Sequence, residues 1–340
     1  MGFNCGIVGL PNVGKSTLFN ALTSTADAEA ANYPFCTIEP NVGRIAVPDE
    51  RLSNLAKIAG SKAILPTYLE FVDIAGIVKG ASSGEGLGNK FLANIRETDA
   101  ILHVVRCFAN EDITHVSGDI DPVSDINTIE TELLLADLES VESRLPNLEK
   151  KAKTGDKHSK EILDVLLSVY DVLKAGKPAV ETRIQDDKKH ILKQLQLITT
   201  KPMMYVCNVP ENDIINGNQY TKKVLEIAGN RKVVTISAAI ESEISLLDSD
   251  SEKKEFLESV GLSSTGLSKI VRQGYDLLGL ITYFTVGPKE ARAWTITKGT
   301  KAPAAAGVIH TDFEKGFICA ETISYEDYIN FEGENKAKQS

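Results

Sequence analysis

The chain has 340 residues, a quarter of them charged, and a formal net charge of −10. This is the balance of an ordinary globular protein with room for two or three domains, and its sign argues against coating nucleic acid by bulk electrostatics. No apolar run reaches the roughly 18 residues of a membrane-spanning helix, and five cysteines without a C-x-x-C pair read as reduced thiols in a cytoplasmic protein.

Phe3 to Val8 reads as a short buried strand and Ser16 to Thr23 as a helix. Between and into them runs Gly9-Leu10-Pro11-Asn12-Val13-Gly14-Lys15-Ser16-Thr17, which matches the phosphate-binding pattern G-x-x-x-x-G-K-[ST]. Glycines at these positions let successive backbone N–H groups curl around an anion, and the helix N-terminus adds partial positive charge. Lys15 is placed to reach the outer phosphates and the Ser16 hydroxyl to ligate Mg²⁺. The stretch from Ala26 to Asn41 is expected to be a loop, since Pro34 and Pro40 oppose a helix. In a phosphate-loop enzyme this is the first switch, whose threonine meets the metal only in the triphosphate state. Thr37 is the candidate and Thr25 the fallback.

Val42 to Val47 and Tyr68 to Val72 have strand character, around an amphipathic segment near Arg51 to Ile58. The second strand ends in Asp73-Ile74-Ala75-Gly76. That D-x-x-G places Asp73 to hold Mg²⁺ through water and the Gly76 amide to meet the terminal phosphate. Ras-like enzymes follow the glycine with a glutamine that orients the attacking water; Ile77 stands there and cannot. After a helix from Asn89 to Glu97 and a buried strand from Ala100 to Arg106, His103 is expected to be a core residue. His115, in the loop beyond, is the better chemical candidate.

From Ile126 to Thr200 apolar residues recur at spacings of three and four, as in two helices packed antiparallel, with Pro146 expected to kink the first. Pro202 to Cys207 returns to strand and ends in Asn208-Val209-Pro210-Glu211. GTPases carry N-K-x-D at this place. Here the asparagine is kept, the lysine is Val209 and the guanine-reading aspartate is Glu211, so adenine becomes plausible. The strand Val233 to Ala238 ends in Ser237-Ala238, like the last base-contacting loop of GTPases. Glu252 to Leu278 reads as helical. A β-rich stretch follows, with strands expected at Ala291 to Ile296 and Phe317 to Ile323, a helix at Ala304 to His310, and Trp294, Phe313 and Phe317 as core aromatics.

With these residues assembled, the chain resembles the YchF/Obg-like ATPase family. The likeness rests on Gly9 to Thr17, Asn32-Tyr33-Pro34-Phe35-Cys36-Thr37, Asp73 to Gly76, the altered Asn208 to Glu211, and Ala305 to Phe313. It implies an α/β fold: a Ras-like P-loop NTPase domain (1–122 and 201–280) with an inserted α-helical hairpin (123–200) and a C-terminal β-grasp (TGS) domain (281–340). Chains of the family continue into further strands, which leaves the completeness of that last domain open. The resemblance also implies ATP over GTP, Mg²⁺, stimulation by K⁺ through Asn12, slow intrinsic turnover, and His115 in place of the missing glutamine. Association with the ribosome, on an unspecified subunit, and RNA contact through the TGS or helical domain follow in the same way. A conventional GTPase and a P-loop small-molecule kinase are the alternatives.

Overall fold

The computed structural model describes residues 3–30, 42–74, 87–109, 120–247 and 249–339. Thr37, Gly76, Ile77 and His115 lie outside them.

The strands are β1 (Asn4–Val8), β2 (Val42–Ala46), β3 (Ala63–Leu65), β4 (Tyr68–Asp73), β5 (Ala100–Arg106), β6 (Met203–Asn208), β7 (Val233–Ile236), β8 (Leu280–Val286) and β9 (Glu290–Thr297). The helices are α1 (Lys15–Ala30), α2 (Glu50–Ala59), α3 (Leu87–Glu97), α4 (Pro122–Lys153), α5 (Lys157–Lys174), α6 (Lys189–Gln194), α7 (Gln219–Ala228), α8 (Ala238–Ser245), α9 (Asp250–Ser259), α10 (Gly266–Leu277), α11 (Ala302–Ile309), α12 (Thr311–Lys315), α13 (Tyr325–Asn330) and α14 (Glu334–Ala337).

The main sheet has six strands in the order β2-β4-β1-β5-β6-β7. Only β2 runs antiparallel to its neighbour. The other five are apolar nearly throughout, as strands covered on both faces must be, and β5 is buried at every position. The connections from β1 pass first to one side of it and then to the other. Such a reversal opens a crevice at the strands' C-terminal ends. Register lines up that edge: Ile7 stands beside Asp73, Val8 beside His103, Arg106 beside Asn208, and Asn208 beside Ile236.

Helices α4 and α5 form the expected hairpin. The early turns of α4 (Ile129, Leu133, Ala136) belong to the core of the main sheet. From Val141 outward its apolar side chains pack instead on Val165, Leu166 and Val169 of α5. The helix continues through Pro146 without interruption. A second sheet, β3-β9-β8, has three strands. Its members β8 and β9 are antiparallel, while β3 joins β9 in parallel from a segment far earlier in the chain.

Four expectations are corrected. Helix α1 runs on through Ala30, because Ala26-Asp27-Ala28-Glu29-Ala30 contains good helix formers and no breaker. The Glu252–Leu278 helix is two helices, separated at Gly261, which takes φ +73°. Phe317 to Ile323 is not a strand; β-branched and aromatic content makes a strand only where another strand pairs with it. Of the three aromatics, Phe313 is exposed, and Trp294 is half-buried beneath Arg292 with its Nε1 donating to Thr285 Oγ1.

Candidate functional site

The loop between β1 and α1 keeps its shape through two glycines that no other residue replaces. Gly9 has φ +156° and a Cβ there would come 2.5 Å from the Val104 carbonyl oxygen. Gly14 has φ +97° and a Cβ there would collide with Asn208 Nδ2. Asn12 also adopts the left-handed region, at φ +62°, where asparagine is tolerated better than most residues. Val13 turns its side chain into the core, while Ser16 and Thr17 are exposed at the start of α1.

Lys15 is only 7% exposed, and its Nζ donates to the Leu10 carbonyl at 2.6 Å. Burial holds its pKa down to about 8, with Asp73 acting in the opposite direction. Asp73, at the end of β4, has its own pKa raised by burial and lowered by Lys15. The lysine and the carboxylate thus feel one another's charge, with Asp73 paired beside Ile7 near the end of β1 and Lys15 opening α1.

Asn208 occupies the middle of the crevice. Its Nδ2 donates to the Val13 carbonyl at 3.0 Å, and its Oδ1 accepts from the Ala238 amide at 2.9 Å. One buried carboxamide thus ties the phosphate loop to the Ser237–Ala238 loop. Val209 is buried in an apolar cluster with Val105, Cys107 and Val224, and its amide donates to Ile236 O. Glu211 is exposed and opens a single helical turn ending at Asp213. Ser237 is 1% exposed and its Oγ has no partner among the described residues.

These pieces enclose a cavity of about 710 Å³, lined by Asn12, Gly14, Lys15, Ser16 and Thr17 at one end and by Asn208 to Asn212 and Ser237 to Ala239 at the other. Its size suits a nucleotide. Phe108 and Ala109 complete the second end. Sequence reasoning missed them, although their position just past the site-facing end of β5 was the signal. His103 is fully within the core, its pKa held down to about 3 by burial with Arg231 and Lys15 adding to the effect. It is not a base for the reaction.

Fold and cavity together define a phosphate-loop nucleotide-binding protein of the Ras-like α/β type. Residues 4–137 match the family MMR_HSR1, described as 50S ribosome-binding GTPase, and residues 280–340 match YchF-GTPase_C, described as a protein of unknown function (DUF933). The chain is 58% identical to the Ribosome-binding ATPase YchF of Haemophilus influenzae and 51% identical to that of Bacillus subtilis, in each case over 100% of this chain and 93% of the relative. A solved structure of the Schizosaccharomyces pombe YchF GTPase superimposes with a TM-score of 0.88 at 40% identity, covering 99% of this chain and 92% of that one. The chain belongs to the YchF family.

Proposed function

We propose that this chain binds and hydrolyses ATP as a molecular switch that associates with the ribosome. The bacterial relatives are named as ribosome-binding ATPases. The observation that carries the base preference is at the second end of the cavity. Asn208 is committed to backbone groups on both sides, and the exposed carboxylate beyond it is Glu211 rather than an aspartate. The S. pombe relative is named a GTPase, so guanine is the second reading.

Phosphoryl transfer to water asks the protein for position and charge rather than covalent chemistry. Lys15 and the loop amides neutralise the phosphates. The donor set offered by the Ser16 hydroxyl and the Asp73 carboxylate is that of a hard cation, and suits Mg²⁺ sharing its remaining ligands with phosphate oxygens and water. Thr37 and the Gly76 amide join them in the triphosphate state. Asn12, exposed and left-handed, offers a carboxamide oxygen to K⁺. With Ile77 unable to orient water, turnover is slow and His115 supplies the missing hydrogen bond. Lys150, Lys151, Lys153, Lys157 and Lys160 are exposed at the tip of the α4–α5 hairpin, which suits contact with RNA. The likeness to ribosome-binding proteins supports a cytoplasmic place of work.

A competition titration of ATP against GTP tests the reading. ATP is expected to bind more tightly, and Glu211→Asp to move the ratio toward GTP by up to about tenfold, ~1.4 kcal/mol. A wild-type preference for GTP of about tenfold would overturn the ATP reading.

A further inference from the structure

The base end of the cavity has two walls: Phe108–Ala109 beyond β5 and Pro210–Asn212 beyond β6. Both lie past the last residue of their strand, so ladder hydrogen bonds do not fix them. Side chains outside the cavity lining do so instead. Asn218 caps α7, its Oδ1 accepting from the amides of Tyr220 at 3.0 Å and Thr221 at 3.1 Å. Its Nδ2 donates to the Cys107 carbonyl at 2.8 Å and to Asp213 Oδ2 at 2.7 Å. A single carboxamide therefore anchors itself on a helix and holds the root of each wall. The Cys107 amide donates to Asn208 O at 2.9 Å and the Gly217 amide to Asp213 O at 2.8 Å, which closes the frame.

Arg106 supports the first wall from beneath. It is among the largest fully buried side chains of the protein. Its guanidinium lies 4.7 Å from the centre of the Phe108 ring, and its Nε donates to the Phe108 carbonyl at 3.2 Å. Burial holds the guanidinium pKa down, and the charge of Asp125, in the first turn of α4, acts against that. A buried arginine is costly unless several partners hold it. Here the guanidinium face and Nε both go to Phe108, an aromatic residue lining the nucleotide cavity.

We propose that Asn218 and Arg106 are positioning residues for the nucleobase: they set the separation of the two walls, and through it how much the base adds to binding. The proposal rests on the nucleotide reading above. An aromatic platform adds to binding by stacking on the base, and that contribution depends on the surrounding shell holding the ring in place.

The test compares ATP and GTP with inorganic tripolyphosphate, which carries the phosphates and no base, by calorimetry on the whole chain. Two variants keep the structural roles apart from the positioning ones. Asn218→Ser retains a capping oxygen for α7 but cannot reach Cys107 or Asp213. Arg106→Lys retains the charge that Asp125 favours and loses the planar guanidinium and its Nε–H. Tripolyphosphate should bind all three proteins within about twofold, while the advantage of ATP over tripolyphosphate falls about tenfold in each variant. An advantage within about twofold of wild type in both variants overturns the proposal. So does a parallel loss of tripolyphosphate and ATP, which would mark general damage. If Arg106→Lys does not fold, Asn218→Ser alone decides. A wild type that binds ATP and GTP equally, both more tightly than tripolyphosphate, would remove the ATP preference and leave the positioning role to be judged by the same variants.

Discussion

At its phosphate end the cavity is walled by residues of one short stretch, Asn12 to Thr17 without Val13; at its base end it is assembled from Asn208, the last residue of β6, and from residues after β5, after β6 and after β7. The first end presents a loop shaped by two glycine conformations and one buried ammonium. The second works through side chains whose places are set by other side chains. A triphosphate presents the same charge whatever base it carries, so a fixed, local motif is enough to bind it. A base is recognised by its shape and edge pattern, and that requires surfaces converging from separate strands. The Asn208 side chain is bonded to both ends.

Lys15→Ala tests the first end with the largest expected effect. Loss of the buried ammonium should weaken ATP and tripolyphosphate alike, by about 2–5 kcal/mol, with the unfolding transition retained. Unequal losses for the two ligands would show that the phosphate end also senses the base. Asn208→Ala comes next. It orphans the Val13 carbonyl and the Ala238 amide, and each buried group left unsatisfied costs about 1–3 kcal/mol. Urea unfolding should register that loss, and both ligands should bind more weakly; an effect on ATP alone would move Asn208 wholly to the base end.

The smallest effect is the pH dependence of Lys15. Burial pushes its pKa down to about 8, below the usual lysine range near 10.5, so the ammonium begins to release its proton just above neutral pH. Phosphate requires the charged form. From pH 7 to 8.5 the affinity for ATP should fall about fourfold, with proton uptake on binding, visible in calorimetry with buffers of different ionisation enthalpy. The free protein responds in the opposite sense. Between pH 8 and 10.5 the unfolded chain holds a proton that the native state has lost, so this group makes folding more favourable as pH rises. Affinity independent of pH over that range would mean that Lys15 is not buried in solution.

The same contrast explains what could be read from sequence. Gly9 to Thr17 and Asp73 are legible because their chemistry depends on local spacing beside a strand. The apolar runs of β5 and β6 are legible because both faces of the sheet are covered. Asn218 and Arg106 gave no signal, since a helix cap and a buried arginine are generic until the loops they hold are known. β3 was missed because three residues, Ala63-Ile64-Leu65, carry no period, and their strand character comes from β9. Phe317 to Ile323 shows the converse: strand-like residues for which the described chain supplies no pairing partner.

The pairing of β3 with β9 also has a consequence for synthesis. Residues 63–65 meet residues 290–292, and α2 covers the same sheet through Leu52 and Ala56 against Ala291 and Ala293. A chain emerging at about 5–20 residues per second needs roughly 10–45 s to deliver β9 after β3. Throughout that interval the apolar face of α2 has no sheet to rest on. An early segment of the molecule therefore holds open a surface that closes only when a segment more than 200 residues later arrives.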